Sequence, residues 1–186
     1  MKFFNYNEKY ILSVISCVRY HNIINMLKAY KNLTKIIKYS YKFVLIMQIL
    51  DKKYYQEINN FIKKNFKANN IIILSNLEKK KLYHFYQYAV AYIFSSYSEV
   101  FGFTTLEAMQ HNLPVAVSSK SALPEINGKA ALYFNPDKII QIQNMLKLCL
   151  LDNNVRQKLI KAGKHNLKRF NLNSSIKKTL TIIEKL

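Results

Sequence analysis

Cysteine, glycine, proline and tryptophan are scarce in this sequence of 186 residues, and their scarcity excludes several classes of protein. The two cysteines, Cys17 and Cys149, lie far apart without metal-ligand spacing, so we expect neither a disulfide framework nor a zinc site. The chain has only three glycines and three prolines, and no linker rich in these residues divides it. We therefore expect a single domain in a reducing cytoplasm.

Long apolar runs are also missing. The most apolar run, residues 43–50, is too short to span a bilayer, and no charged-then-apolar signal segment opens the chain. We expect a cytoplasmic protein rather than a secreted or integral membrane protein. Lysine pairs such as Lys63 and Lys64 are expected to form solvated helix faces, and peripheral attraction to anionic lipid at the inner face of the membrane is a secondary interpretation.

Acidic residues are few: ten Asp and Glu face 29 Lys and Arg, for a formal net charge of +19. Such a charge favours anionic partners, but nearly all of it is lysine, and the only arginines are Arg19, Arg156 and Arg169. Base readout favours arginine forks, and the accompanying Asn, Ile, Tyr and Phe are typical of an AT-rich genome. We expect no specific nucleic-acid partner and keep a basic nucleic-acid or membrane-surface protein as a third hypothesis.

Short apolar runs alternate with amphipathic segments along the chain, which is typical of a parallel sheet covered by helices. The pattern predicts strands at 10–16, 41–50, 69–77, 89–96, 113–119 and 130–134. It predicts helices at 23–37, 52–66, 78–88 and 122–126, and helix from 137 to the end. The predicted fold class is α/β: a single Rossmann-like domain, residues 1–186, with a helical C-terminal tail at about 152–186.

The stretch "SSYSEVFGFTTLEAM", residues 95–109, follows the fourth predicted strand. An open parallel sheet binds ligands at the carboxyl ends of its strands, which is where this stretch must lie. Gly102 allows close backbone approach, and Thr104 and Thr105 begin a helix whose free amides favour an anion. The stretch therefore predicts a phosphate-binding turn.

Glu99 and Glu107 flank that turn, and three interpretations are open for them. They are an acid/base pair for glycoside hydrolysis, acceptors for the vicinal hydroxyls of a sugar, or structural residues. In the structural interpretation Glu99 is a surface-loop residue, and Glu107 completes a capping box with Thr104. Glu99 precedes the turn and Glu107 lies in the first helical turn, so they converge only if the turn folds a pocket between them.

Residues 95–137 resemble the nucleotide-sugar-binding C-terminal domain of GT-B fold glycosyltransferases of family 4, the group 1 glycosyl transferases. Glu99 and Glu107 match the family's pattern of two glutamates separated by seven residues. The surrounding "FGF" and "LEAM", the later "LPVAVSS" and "LPEI", and Asn135-Pro136-Asp137 match as well. The resemblance implies the C-terminal half of a GT-B fold.

The resemblance also implies an activity and a role for each site residue. The activity is transfer of a hexose from a UDP- or GDP-sugar to a hydroxyl acceptor, with retained configuration and no metal or other cofactor, in surface polysaccharide or glycolipid synthesis. The implied donor-sugar contacts are Glu99, Phe101, Gly102 and Phe103, and the implied ribose contact is Glu107. The diphosphate would meet Thr104, Thr105, Arg19 and His21, and the base would meet Ser75, Asn76 and Leu77.

Two departures from the family pattern matter. The family's Gly-Arg pair after the first strand and its lysine five residues later are replaced by Ile15-Ser16 and His21. Arg19 or a protonated His21 would substitute for these cations in part.

The second departure is length, because the resemblance covers the second of two Rossmann-like domains. We expect the N-terminal acceptor domain to be absent, a separately encoded half to be a partner, and turnover by this chain alone to be weak. The leading hypothesis is therefore a donor-binding half of a glycosyltransferase. The second hypothesis is a degenerate, non-catalytic remnant that binds nucleotide-sugars.

Overall fold

A computed structural model describes residues 8–37 and 40–184, and its centre is one parallel sheet of six strands. The strands are β1 (Tyr10–Cys17), β2 (Lys42–Ile49), β3 (Ile71–Leu74), β4 (Ala91–Phe94), β5 (Val115–Ser118) and β6 (Ala131–Phe134). Their order across the sheet is β3-β2-β1-β4-β5-β6, and every pairing is parallel. Successive strands from β1 to β3 therefore extend the sheet in one direction, and successive strands from β4 to β6 extend it in the other.

The described part of the chain contains eight α-helices, which connect and cover the strands. They are α1 (Ile23–Ile37), α2 (Lys52–Asn65), α3 (Lys79–Tyr88), α4 (Phe103–Gln110), α5 (Leu123–Asn127), α6 (Ile139–Leu151), α7 (Asn153–Leu167) and α8 (Leu172–Ile183). Short 3-10 helices at Arg19–His21 and Gly128–Ala130 complete the connections. The side chains of Asp51 and Asp152 accept the amide hydrogens of Tyr54 and Val155, which fixes the first turns of α2 and α7.

The core lies on both faces of β1, as expected for the central strand of a covered parallel sheet. Tyr10, Ile11 and Leu12 are fully buried at its amino end. Towards its carboxyl end Val14 and Ser16 are only half-buried, so one face of the strand opens there. That opening positions the candidate site.

The predicted fold class is confirmed, and the helix at 23–37 has the predicted bounds. The observed strands are mostly shorter than predicted, because the runs continue into turns. For example, the run at 69–77 forms a strand only over Ile71–Leu74, and Asn69 and Asn76 flank it with left-handed backbones. The predicted tail is helical as α7 and α8, while residues 185–186 lie outside the described part.

Both cysteines are buried and unpaired. No helix in the described part of the chain is both long and apolar enough to cross a bilayer.

Candidate functional site

The candidate site lies where β1 and β4 meet at the centre of the sheet. The chain leaves these adjacent strands towards opposite sides, and a crevice forms outside their carboxyl ends. The buried Ser95 hydroxyl, just after β4, donates to the carbonyl of His21 at 2.9 Å. The amide of Tyr97 donates to the carbonyl of Tyr20 at 2.7 Å. These bonds hold the loop after β1 against the end of β4.

The Asn-Pro-Asp segment, residues 135–137, is hydrogen-bonded to both the loop after β1 and the loop after β4. The side-chain amide of Asn22, which has a left-handed backbone, donates to the carbonyl of Pro136 at 2.8 Å. The Tyr97 hydroxyl donates to Asp137 at 2.6 Å. Pro136 and Asp137 therefore help to position these two loops.

A cavity of about 470 Å³ occupies the crevice. Its walls come from the ends of β1 and β2, the loop after β3, α3, the loop after β4 and the start of α4. The lining residues are mainly apolar, and they are Val14, Ile15, Ser16, His21, Ile46, Met47, Gln48, Asn76, Leu77, Leu82, Phe94, Glu99, Gly102, Phe103 and Thr104. Among these lining residues, His21 and Glu99 have the only basic and acidic side chains.

His21 is fixed in the wall of this cavity and is only 6% exposed. Its Nδ1 lies 2.7 Å from the carbonyl oxygen of Ser16, so the neutral ring carries its proton on Nδ1. Its ring also packs against Phe94, with 5.6 Å between centroids. Burial lowers the pKa of His21, against the opposing effects of the Ser16 carbonyl and the Glu99 carboxylate. The free site therefore holds a neutral imidazole near pH 7.

Glu99 lies across from this ring, with its Oε2 atom 3.8 Å from Nε2 of His21. Two backbone bonds position the residue: its amide donates to Oγ of Ser121 at 3.1 Å, and that hydroxyl donates back to its carbonyl at 2.7 Å. The Glu99 side chain is 23% exposed and lines the cavity, so it is more than a surface-loop residue.

Gly102 is the residue immediately before α4, and it has the left-handed backbone that a glycine permits, with φ of 82°. A Cβ atom placed there would lie 2.9 Å from Cδ2 of Leu123. Phe103 and Thr104 follow as the first helical residues and line the cavity, and their amides have no intrahelical acceptor. The expectation of a free amide at Thr105 is wrong, because that amide donates to the Gly102 carbonyl at 3.0 Å.

Glu107 is held by a contact that the sequence does not suggest. The buried Tyr86 hydroxyl, on α3, donates to Oε2 of Glu107 at 2.8 Å. The capping-box interpretation is wrong, since α4 begins after Gly102, no side chain caps it, and Glu107 falls in its second turn. Glu107 does not line the cavity that holds Glu99.

Four other predicted site residues also lie outside the cavity lining. Arg19 is exposed, and its guanidinium makes two bonds to Glu57, at 2.5 and 3.0 Å. Phe101 stacks on Phe103 at 4.3 Å, and the Thr105 hydroxyl donates to the Gly102 carbonyl at 2.8 Å. Ser75 precedes the lining residues Asn76 and Leu77. Because Arg19 is exposed and bonded to Glu57, we do not include it among the residues proposed to bind the diphosphate.

Sequence reasoning missed Tyr86 and the apolar walls formed by Val14, Ile46 and Phe94. The three wall residues belong to strands that the sequence predicts from apolar runs. The alternation along β1 could have indicated which side chains of that strand face the cavity. The bond from Tyr86 to Glu107 depends on how α3 packs on α4, for which the sequence carries no local signal.

Comparison with known proteins identifies the family of the chain. The profile of the family described as glycosyl transferases group 1 matches residues 2–166. The chain belongs to this family. The expected GT-B relationship is thus confirmed at the level of family and fold.

Curated relatives of this group 1 chain include two bacterial proteins. O-antigen chain mannosyltransferase B of Escherichia coli is 31% identical over 97 residues, which cover 51% of this chain and 26% of that protein. O-antigen chain mannosyltransferase RfbU of Salmonella typhimurium is 27% identical over 140 residues, covering 75% of this chain and 38% of that protein. The chain thus spans well under half the length of either relative.

Solved structures share the fold at low identity. The C-terminal domain of the group 1 glycosyl transferase LpcC from Francisella tularensis superposes with a TM-score of 0.76 at 19% identity, covering 86% of this chain and 85% of that one. Anabaena HepE in complex with UDP and glucose superposes with a TM-score of 0.85 at 15% identity, covering 97% of this chain and 50% of that one.

Proposed function

We propose that the cavity between β1 and β4 binds a nucleotide-sugar and that the chain serves as the donor-binding half of a retaining hexosyltransferase. The donor is a UDP- or GDP-hexose, and the acceptor is a hydroxyl group of a surface polysaccharide or glycolipid. One observation carries the proposal: Glu99, His21, the turn at Gly102 and the loop at Asn76 line one cavity at the switch point of the sheet. The O-antigen mannosyltransferase relatives support this acceptor class.

Each group in the cavity suits one part of such a donor. The Glu99 carboxylate accepts hydrogen bonds from the hexose hydroxyls. The amides of Phe103 and Thr104, at the positive end of α4, meet the diphosphate, and Asn76 and Leu77 lie beside the base. Glu107, oriented by Tyr86, accepts from the ribose hydroxyls at the edge of the site.

Charge neutralisation is the unusual part of this proposal. No lysine or arginine occurs among the described residues that line the cavity, and His21 is its only basic side chain. The departing diphosphate is therefore stabilised by the α4 amides and, once protonated, by His21. We propose that the transfer step needs a second, acceptor-binding domain facing the cavity, because proximity and water exclusion both require one.

The same observation favours a second candidate function. A cavity with one basic side chain suits a domain that binds nucleotide-sugars without transferring the sugar. A glycosyl-transfer assay distinguishes the two functions, because binding without turnover in the presence of an acceptor-binding half indicates the non-catalytic domain.

Calorimetry with UDP-glucose and GDP-mannose tests the binding proposal. We expect saturable binding by the wild-type chain and affinity lower by about tenfold in Glu99→Gln and in Glu107→Gln, since each loses a charged hydrogen-bond acceptor. Glu125→Gln on α5 is the matched control, because this exposed glutamate lies outside the cavity. Absence of heat with every nucleoside diphosphate and nucleotide-sugar would reject the proposal.

A further inference from the structure

A second cavity, of about 610 Å³, lies at the opposite end of the sheet from the donor site. The 3-10 helix Gly128–Ala130 forms one wall and leads directly into the amino end of β6. α7 forms the other wall. The donor cavity opens at the carboxyl ends of the parallel strands, and the two cavities share no lining residue.

The charged side chains that line this second cavity are all basic. Lys129, Lys158, Lys161 and Arg169 line it together with His165, and none of its lining residues is acidic. The three lysines are exposed. Among the described residues, none of the ion pairs involves any of these cations, so no carboxylate of the chain neutralises them.

Arg169 is held in place before any ligand arrives. Its Nη1 donates to Oδ1 of the buried Asn166 at 2.8 Å, and its Nη2 donates to the backbone carbonyl of Glu125 at 3.1 Å. Its guanidinium also lies over the Phe170 ring, 5.3 Å from the centroid. Asn166 is itself anchored by a bond from Nδ2 to the carbonyl of Ile126 at 3.0 Å. A fixed guanidinium loses little entropy when it binds an anion.

Gly128 keeps space open beside this guanidinium. Its φ is positive, at 52°, and a Cβ atom there would lie 3.3 Å from Nη1 of Arg169. The cavity thus combines one fixed planar donor, three exposed ammonium groups and walls of alkyl stems.

We propose that this second cavity binds a phosphate or pyrophosphate group, as part of either a soluble compound or an anionic lipid headgroup. The lysines supply charge and Arg169 supplies directed hydrogen bonds. Such a site goes beyond the proposed donor function, because it shares no residue with the donor cavity.

Two variants with equal charge separate a site from general basicity. The cavity variant is Lys129→Gln, Lys158→Gln, Lys161→Gln, and the control is Lys63→Gln, Lys64→Gln, Lys67→Gln, whose exposed lysines lie on and after α2, outside the cavity. One arm titrates pyrophosphate and follows amide chemical shifts. The other arm measures sedimentation with phosphatidylglycerol vesicles, using phosphatidylcholine vesicles as reference. Thermal melting checks that both variants fold.

We expect shifts at Gly128–Ala130 and along α7, and at least about tenfold weaker binding in the cavity variant with little change in the control. Selective loss in the pyrophosphate arm supports a soluble ligand, and selective loss in the vesicle arm supports a headgroup. The single variant Lys161→Glu is expected to weaken binding in whichever arm the cavity variant weakens it. Equal losses of binding in the cavity variant and in the control would overturn the proposal. So would pyrophosphate-induced shifts confined to residues 102–105, if vesicle binding also showed no selective loss in the cavity variant.

Discussion

The Tyr86 hydroxyl donates a 2.8 Å hydrogen bond to Oε2 of Glu107, joining α3 to α4 beside the donor cavity. Tyr86 is fully buried, and its ring stacks on His111 with 5.4 Å between centroids. Burial, followed by the nearby Tyr92 and Glu107, raises the pKa of Tyr86 well above its usual range, so the phenol keeps its proton. The bond leaves Oε1 of Glu107 able to accept from a ligand.

Tyr86→Phe should therefore weaken recognition of the ribose. Without the phenol, Glu107 is less well oriented, and the preference for a ribonucleotide over its 2′-deoxy form should fall by about threefold to tenfold. Calorimetry with UDP and 2′-deoxy-UDP, and with the guanosine pair, measures this ratio.

Tyr30→Phe is the matched control for that experiment. Tyr30 is equally buried, but its hydroxyl donates to the carbonyl of Tyr41 at 2.6 Å, and neither residue lines the donor cavity. We expect a loss of stability without a change in the ribose preference. If both variants alter the preference equally, or neither does, Tyr86 does not orient Glu107 for a ligand.

Donor affinity should rise as the pH falls from about 8 to about 5.5. Burial lowers the pKa of His21 in the free protein, and a bound diphosphate raises it, so binding takes up a proton. Affinity then increases by at most about tenfold per pH unit for one proton. Nucleotide-sugars are the appropriate ligands, because their diphosphate does not titrate in this range.

His21→Gln keeps a polar side chain but removes the titration. Its affinity should change little with pH, and its binding heat should not depend on the ionisation enthalpy of the buffer. Wild-type affinity that is flat across the same range would show that His21 stays neutral in the complex.

Gly102→Ala should destabilise the fold by about 1–3 kcal/mol, because alanine strains a left-handed backbone and its Cβ would crowd Leu123. Urea denaturation measures the loss. Gly163→Ala in α7 is the comparison: its Cβ would lie 3.2 Å from Cγ and 3.3 Å from Cβ of Met109, but its backbone is helical, and helix propensity favours alanine by about 1 kcal/mol. A greater loss at Gly163 than at Gly102 would contradict this account of the turn.

The sequence was informative where periodicity alone decides structure. Ile23–Ile37 is a helix because its apolar residues recur on one face, and β2 follows a continuous apolar run whose short length favours a buried strand over a helix. The strand at Ile71–Leu74 was predicted too long, because Asn76 turns the chain through a left-handed backbone that many asparagines do not adopt.

The candidate site was only partly predictable from the sequence, because some of its contacts join residues that lie far apart in the chain. Glu99, Gly102 and Thr104 lie close together in sequence, so their common location follows from one turn. His21 joins them because hydrogen bonds from the residues after β4 fix the loop after β1. The pairing of Arg19 with Glu57 and of Tyr86 with Glu107 depends on helix packing across 38 and 21 residues, and no local pattern shows it.

The most direct test of nucleotide-sugar binding is a map of backbone amide shifts during titration with GDP-mannose and with UDP-glucose. We predict that the amides at Gly102–Thr105, Asn76, Leu77 and His21 shift together and saturate, with much weaker effects in Glu107→Gln. Saturating shifts confined to Gly128–Ala130 and α7, or no shifts at millimolar donor, would contradict the account.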